Sequence, residues 1–393
     1  MKDETGVQKK TSVLIMGAGT VGTRIGDVLL SSGLNIHLKF CKYNAQMDKL
    51  IPGEFEVKTR ELRELCDRYP EKKIEVYAAL GPDPEKRVEN LRRAGLDCRG
   101  SINDMDFSTI ALAVDTSNGA EFENFENFYE PNNVPFAFVG GGRTKLQGNL
   151  LYAGVPNTWI EVESEAYRKS NVTVVSCNTH CILTAMGKLK EVLGGEQFEG
   201  LIRHIDITFC RRHEDPHRGV PKPEFTSLAI KRYHVDEIEA LIPETHGRIT
   251  TTVSKWPTEY FHTLIVDFEF DGAVPNWVLD GYAMALERYE RCILTHQEID
   301  HKKTIEIAWA LGIRDGDIPF PIYLVNKAGK YKIKVLALTP QRGIVAPSTS
   351  DYVVMRTGRT KTWREAFGVI NARAKYRGHT FSSIKANLQG NLK

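Results

Sequence analysis

Apolar positions crowd the stretch "SVLIMGAGTVGTRIGDVLLSSG", residues 12–33, first as a continuous run, then after a glycine turn at helical spacing. A run, a tight turn and a 3.6-residue period predict a strand, a turn and a helix that ends near Gly33. The pattern recurs. "LNIHLKF", "KIEVYAAL" and "TIALAVDTS" read as strands, and "KTRELRELCDRY" and "PEKRVENLRRAG" as helices. Strands alternating with helices predict a parallel sheet covered on both faces. "VPFAFVGG" and "VTVVS" extend the series to Ser176.

From Cys177 the texture changes. One helix, "ILTAMGKLKEVLGG", is stopped by Gly194 and Gly195, and longer alternating strands follow, "LIRHIDITFC" and "YFHTLIVDFEF". "NWVLDGYAMALERYERCIL" and "KKTIEIAWALG" read as helices, and "PIYLVNKAGKYKIKVLALT" as a hairpin turning at Ala328-Gly329. This predicts an α+β second domain with a mixed or antiparallel sheet over 177–345. The amphipathic "WREAFGVINARAKY" predicts that the C-terminal segment 346–393 packs back on the first domain, 1–176. No internal repeat or low-complexity tract interrupts this order.

Composition narrows the class. The 393 residues are 41% hydrophobic and 26% charged, enough apolar material for two ordinary cores. With 52 basic and 50 acidic residues the net charge is +2, which gives no polyelectrolyte surface for nucleic acid. No stretch reaches the roughly 20 apolar residues of a membrane span, and "MKDETGVQKK" lacks the apolar core of a secretory leader. Seven cysteines, an odd number, fit free thiols in a reducing compartment, so the chain reads as cytoplasmic.

"GAGTVG" sets Gly17, Gly19 and Gly22 in the order G-x-G-x-x-G between a strand and a helix. Such a turn brings backbone N–H groups at a helix start against a pyrophosphate, and a Rossmann-type doubly wound sheet is the α/β architecture that uses it. Gly17, Gly19, Thr20, Val21 and Gly22 are the candidate cofactor contacts, joined by Lys42, Thr116 and Gly141. The second strand offers Lys39 and Lys42 where an NAD site would place an acidic residue. A lysine there favours the 2′-phosphate of NADP over NAD, unless it is simply exposed after a strand.

Cys177 follows "VTVVS" and opens the next helix, where the dipole and unpaired N–H groups favour a thiolate. Asn178 and the first-turn amides would then stabilise an oxyanion. The alternative is a buried inert cysteine. Cys181, one turn on, is either a packed residue or an oxidation partner. A thiol nucleophile needs a base, and spacing alone does not choose among eleven histidines.

These residues resemble the archaeal-type (class II) glyceraldehyde-3-phosphate dehydrogenases, through most of the chain and in the same order. "GAGTVGTRIGDVL", "FCKYNAQMD", "AGLDCRGSINDM" and "AVDTSNG" resemble the nucleotide domain of that family, and "VVSCNT" its nucleophile motif. "FCRRHEDP" is similar to an Arg-Arg-x-x-Asp-Pro segment, "PETHGR" to Pro-x-His-His-Gly, "WPTEYFH" to the Pro-Thr-x-x-x-His that carries the base, and "QRGIVAP" to Gln-x-x-Ile-Val-x-Pro. The resemblance implies that His262 deprotonates Cys177, although by itself His262 also reads as one residue of an alternating strand. It implies that Ser176, Thr179, Arg211, Arg212 and His246 form the phosphate side of the pocket. A phosphorylated aldehyde, inorganic phosphate, NADP or NAD, a place in glycolysis or gluconeogenesis and a homotetramer follow as expectations.

The departures lie at the site. The family's Cys-Asn-Thr-Thr-Gly is Cys177-Asn178-Thr179-His180-Cys181 here, Thr245 replaces the first histidine of His-His-Gly, and Gly142 and Arg143 stand for Glu and Lys. The Val-His-Gln-Glu-Ser stretch is "LTPQRG". A related acyl-phosphate or semialdehyde reductase and a non-catalytic nucleotide-binding paralogue remain as alternatives. Cys210, His213 and His217 also have spacing that permits a metal, but with no second ligand pair nearby no metal is expected.

Overall fold

The computed structural model describes residues 12–42, 47, 50, 52–117, 119–140, 149–156, 158, 164–212, 232–256, 261–298, 301–313 and 317–392. The chain divides into two compact units: 1–150 with 165–174 and 349–375, and 151–164 with 175–348 and 376–393.

In chain order the first elements are β1 (Ser12–Met16), α1 (Thr20–Ser31), β2 (His37–Lys42), α2 (Pro52–Arg68), β3 (Glu75–Ala78), α3 (Pro84–Arg93) and β4 (Cys98–Ser101). Then come β5 (Ile110–Asp115), α4 (Glu121–Asn124), β6 (Phe136–Val139), β7 (Leu150–Tyr152), α5 (Ser164–Lys169) and β8 (Val172–Val174). The strands form one sheet in the order β4-β3-β2-β1-β5-β6-β8-β7, and every described pairing from β4 to β8 is parallel. All five residues of β1 are buried, as a strand covered on both faces requires. This is the doubly wound α/β sheet expected from the alternation. Two strands carry no sequence signal: β4 is "CRGS", with an arginine and a glycine inside it, and β7 has three residues.

The later elements are α6 (Cys177–Leu193), α7 (Gly195–Leu201), β9 (Ile202–Arg212), α8 (Arg232–Leu241), β10 (Ile249–Trp256), β11 (Phe261–Phe270), α9 (Asn276–Arg288), β12 (Ile293–Thr295) and α10 (His301–Ala310). They continue with β13 (Ile322–Lys327), β14 (Lys332–Pro340), α11 (Val345–Arg356), α12 (Trp363–Arg373), β15 (Lys375–Tyr376), β16 (His379–Thr380) and α13 (Phe381–Asn391). A mixed six-stranded sheet runs β10-β9-β11-β14-β13-β12, with β10–β9 and β12–β13 parallel and the rest antiparallel. Side chains of β11 alternate between buried and half-buried, and α6 packs against β11 and β14. Gly194 stops α6 in a backbone conformation with φ +77°, and Gly329 turns the β13–β14 hairpin at φ +71°.

Two expectations change. The run "NWVLDGYAMALERYERCIL" is a helix only to Arg288, because its last two residues, with Thr295, form β12 beside β13. The segment 346–393 is not one body packed on the first unit. Within that unit Tyr352 donates a hydrogen bond to the Ser170 carbonyl (2.7 Å) and Arg356 to that of Arg168 (2.8 Å). Residues 376–393 belong instead to the second unit, where Thr295 donates to the Leu392 carbonyl at 3.1 Å.

Candidate active site

The glycine turn is built by backbone contacts that only glycine allows. The amides of Gly17 and Ala18 both donate to the Cys41 carbonyl, at 3.1 and 3.0 Å, which seats the turn on β2. Gly17 has φ +81°, and a Cβ there would lie 2.7 Å from the Ser117 nitrogen. A Cβ on Gly22 would lie 2.9 Å from the Gly17 carbonyl oxygen and 3.0 Å from Ile15, so this glycine sets helix against strand. Gly19 differs: a Cβ there would meet only the Gly17 oxygen, at 3.8 Å, so the surface above it is open. Thr20 and Val21 open α1, which has no side-chain cap and no acidic residue in its first turn. An open glycine beneath an uncapped helix start fits the diphosphate of a dinucleotide.

Thr116 and Lys42 buttress the turn. The Thr116 hydroxyl donates to the Gly17 carbonyl at 2.6 Å. Lys42, buried at the end of β2, places Nζ 2.8 Å from the Ala18 carbonyl oxygen, and burial lowers its pKa to about 8. Lys39 is committed elsewhere, 3.4 Å from Glu75. Gly141 lies outside the described residues.

In the second unit Cys177 is the first residue of α6 and is half-buried. Ser176 is the N-cap: its hydroxyl accepts from the Thr179 amide at 3.3 Å. Most of α6 is buried behind this turn, so the helix end is held by a core and not by a loop. Asn178 is 1% exposed, and its Oδ1 has no hydrogen-bond partner among the described residues. A buried acceptor of that kind is one of the few polar groups at the site not already committed.

His262 is the second residue of β11 and is buried. Its antiparallel register partner is Thr339 on β14, and the Cys181 side chain, one turn along α6 from Cys177, faces Thr339. The helix that begins at Cys177 thus packs against the strand pair that carries His262. Cys181 itself is structural. Its thiol donates to the Tyr323 hydroxyl (3.5 Å), which donates to the Cys181 carbonyl (2.6 Å), and burial pushes its pKa up to about 12. His180 is 4% exposed, and its Nδ1 has no hydrogen-bond partner among the described residues. Burial, aided by the nearby Arg291 cation, lowers its pKa to about 3, so it is neutral.

Of the residues expected on the phosphate side, Ser176 and Thr179 are joined, and among the described residues no contact links them to Arg211 or His246. Thr179 is fully buried, and its hydroxyl meets three internal partners: Ser176 at 3.0 Å, His234 Nδ1 at 2.8 Å and Glu237 at 2.5 Å. With one hydrogen and two lone pairs engaged, that oxygen has nothing left for a phosphate. The Ser176 hydroxyl is held in the same network and as the cap. His246 is exposed, its Nδ1 3.3 Å from Glu239. Arg211, the next-to-last residue of β9, is half-buried. Arg212 is placed by its backbone alone, and His213 and His217 lie outside the described residues. Among the described residues no group of three potential metal ligands converges.

Sequence reasoning missed His234 and Glu237. Both lie on α8, one turn apart, interleaved with the buried Val235, Ile238 and Leu241. A histidine and a glutamate at i, i+3 on an otherwise apolar face were the available signal.

No family model matches the chain. It is similar to curated proteins named glyceraldehyde-3-phosphate dehydrogenase. It is 27% identical to that of Methanopyrus kandleri over 285 residues, 70% of this chain and 71% of the relative. The identity is 29% with that of Archaeoglobus fulgidus over 318 residues, 78% and 80% of the two chains. With that of Pyrobaculum arsenaticum it is 25% over 368 residues, 89% and 93%. The alignments cover 70 to 89% of this chain, more than any single motif accounts for. Over most of its length this chain is thus similar, at 25 to 29% identity, to proteins named glyceraldehyde-3-phosphate dehydrogenase.

Proposed function

We propose that the chain is an NAD(P)-dependent dehydrogenase that oxidises a small phosphorylated aldehyde through a cysteine thioester and releases an acyl phosphate. The observation that carries this reading is Cys177 at the capped start of a buried helix that packs against β11, the strand of His262. The names of the relatives support glyceraldehyde 3-phosphate as the first substrate to test.

His262 accepts the Cys177 proton, and the thiolate adds to the aldehyde carbon. The charge that develops on the carbonyl oxygen meets the amides at the N-terminus of α6 and the Asn178 side chain. His262 returns its proton to that oxygen, which makes the hemithioacetal hydroxyl, and then takes it back as the carbon-bound hydrogen departs with its electron pair, which leaves a thioester. A bound nicotinamide dinucleotide supplies the acceptor for those two electrons, held by Gly17, Gly19, Thr20, Val21 and Gly22, with Thr116 behind the turn. Phosphate oxygen then attacks the thioester carbon, the C–S bond breaks and Cys177 leaves as thiolate. Arg211, Arg212 and His246 are the cations proposed for the two phosphate groups. Lys42 favours NADP over NAD. The homotetramer, the cytoplasmic location and the division of labour between 1–176 and 177–345 belong to the same proposal and rest on resemblance.

A steady-state assay tests it: NAD+ and NADP+, with and without phosphate, on small phosphorylated aldehydes and on an amino-acid semialdehyde. Phosphate-dependent oxidation of glyceraldehyde 3-phosphate that Cys177→Ala abolishes is the expected result. Turnover of the semialdehyde alone would replace the substrate. Normal dinucleotide binding with no turnover of any aldehyde would make the chain a binding protein.

A further inference from the structure

Behind Cys177 lies a buried polar chain that the reaction above does not use. Its members are Ser176, Thr179, His234 and Glu237, of which Thr179 and His234 are fully buried and Glu237 is 1% exposed. The Thr179 hydroxyl donates to Glu237 at 2.5 Å, the length of a hydroxyl bond to an ionised carboxylate. Its single hydrogen is thereby spent. The contact with His234 Nδ1 at 2.8 Å must then have the ring N–H donating, and the contact with Ser176 at 3.0 Å must have the serine hydroxyl donating. His234 is in turn held by stacking on Phe209 of β9, with ring centroids 4.7 Å apart and planes within 17°. One hydroxyl thus ties α8, and through the His234 ring β9, to the first turn of α6.

A buried carboxylate at this spot is expensive unless it serves a purpose. An apolar pair would bind α8 to α6 at less desolvation cost. A directional chain adds something an apolar pair lacks, a fixed rotation of the first turn and therefore of the Cα–Cβ vector of Cys177. We infer that His234 and Glu237 are positioning residues, which clamp Thr179 and Ser176 and so set the aim of the Cys177 sulfur. The inference rests on the reading of Cys177 as the nucleophile. It also explains why Thr179 is withheld from phosphate.

The test measures second-order alkylation of Cys177 by iodoacetamide in the folded full-length protein, read by peptide mass spectrometry, beside kcat, KM for NAD(P)+ and thermal melting. Thr179→Val removes the hydroxyl at constant shape, Glu237→Gln keeps the shape and removes the charge, and Thr179→Ser restores the hydroxyl. Both disabling variants are expected to slow alkylation and lower kcat by about tenfold or more, with KM for the dinucleotide within about twofold. Thr179→Ser is expected to recover most of the loss. Should Thr179→Val fail to fold, Glu237→Gln decides. Wild-type alkylation and kcat in folded variants would overturn the inference, and so would a lower melting temperature with no change in either rate. Alkylation needs no substrate, which separates the two readings. Slowed alkylation in a protein that oxidises no aldehyde would leave the clamp standing and remove the dehydrogenase. A wild-type Cys177 no more reactive than buried Cys181 would remove both.

Discussion

Lys42 Nζ lies 2.8 Å from the carbonyl oxygen of Ala18, so the last residue of β2 is tied to the middle of the glycine turn. Its charge is therefore held at the turn, within a buried setting where burial is the main cause of its lowered pKa, Glu61 opposes that shift and Lys58 adds to it. Lys42→Met keeps the stem and removes the charge. KM for NADP+ is expected to rise about 10- to 100-fold, the worth of a charge-assisted bond, with a smaller change for NAD+. Because the ammonium loses its proton as pH rises through about 8, wild-type preference for NADP+ should fall between pH 7.5 and 9 and the variant should show no such trend. Initial rates with both dinucleotides across that range check this.

Gly17→Ala places a Cβ 2.7 Å from the Ser117 nitrogen at φ +81°. Strain and backbone collision together are expected to cost roughly 1–3 kcal/mol and to weaken dinucleotide binding at the same time. Urea denaturation and a fluorescence titration measure the two effects. A variant as stable and as tight-binding as the parent would show that the turn yields easily.

His180 makes the fold sensitive to acid. An imidazole kept neutral in the fold and protonated in the unfolded chain means that unfolding takes up a proton, so stability is lost as pH falls from 6.5 toward about 3. Between pH 7 and pH 4 this single group contributes about 3 kcal/mol of that loss. His180→Thr should flatten the dependence, and urea midpoints at pH 7, 5.5 and 4.5 for both proteins test it. Parallel curves would mean that the ring gains a partner for its charge.

His262→Asn retains a polar side chain at the head of β11 and removes the base. A fall in kcat of about 10²- to 10⁴-fold is expected, with dinucleotide KM little changed and the acidic limb of the pH–rate profile lost. Cys177→Ala should show no aldehyde oxidation and no burst. Residual turnover at the parental rate in either variant would move the chemistry to other residues.

Most of the α/β half was legible because its strands are short apolar runs between turn signals, and β1 and β5 are the clearest of them. β4 escaped because Arg99 and Gly100 break its run, and pairing with β3, not composition, makes it a strand. At the site, Cys177 could be placed at a helix start from "VVSCNT" alone. His262 could not be singled out without resemblance, since its selection depends on the register that sets it beside Thr339. Thr179 was misread for the same reason. A hydroxyl near a nucleophile suggests a ligand contact, and only the fold shows that His234 and Glu237, 55 and 58 residues away, have already taken it.

The first unit is assembled from three stretches, the last of them residues 349–375. During synthesis that stretch leaves the ribosome after residues 175–348 and before 376–393, so when most of the second unit is out it still lacks α13, and the first unit still waits for α11 and α12. Until then the surface around Ser170 and Arg168 that these helices bind stays uncovered on the nascent chain. Connectivity thus leaves both units incomplete until late in translation, with the last stretch of the first unit emerging before the last stretch of the cysteine-bearing one.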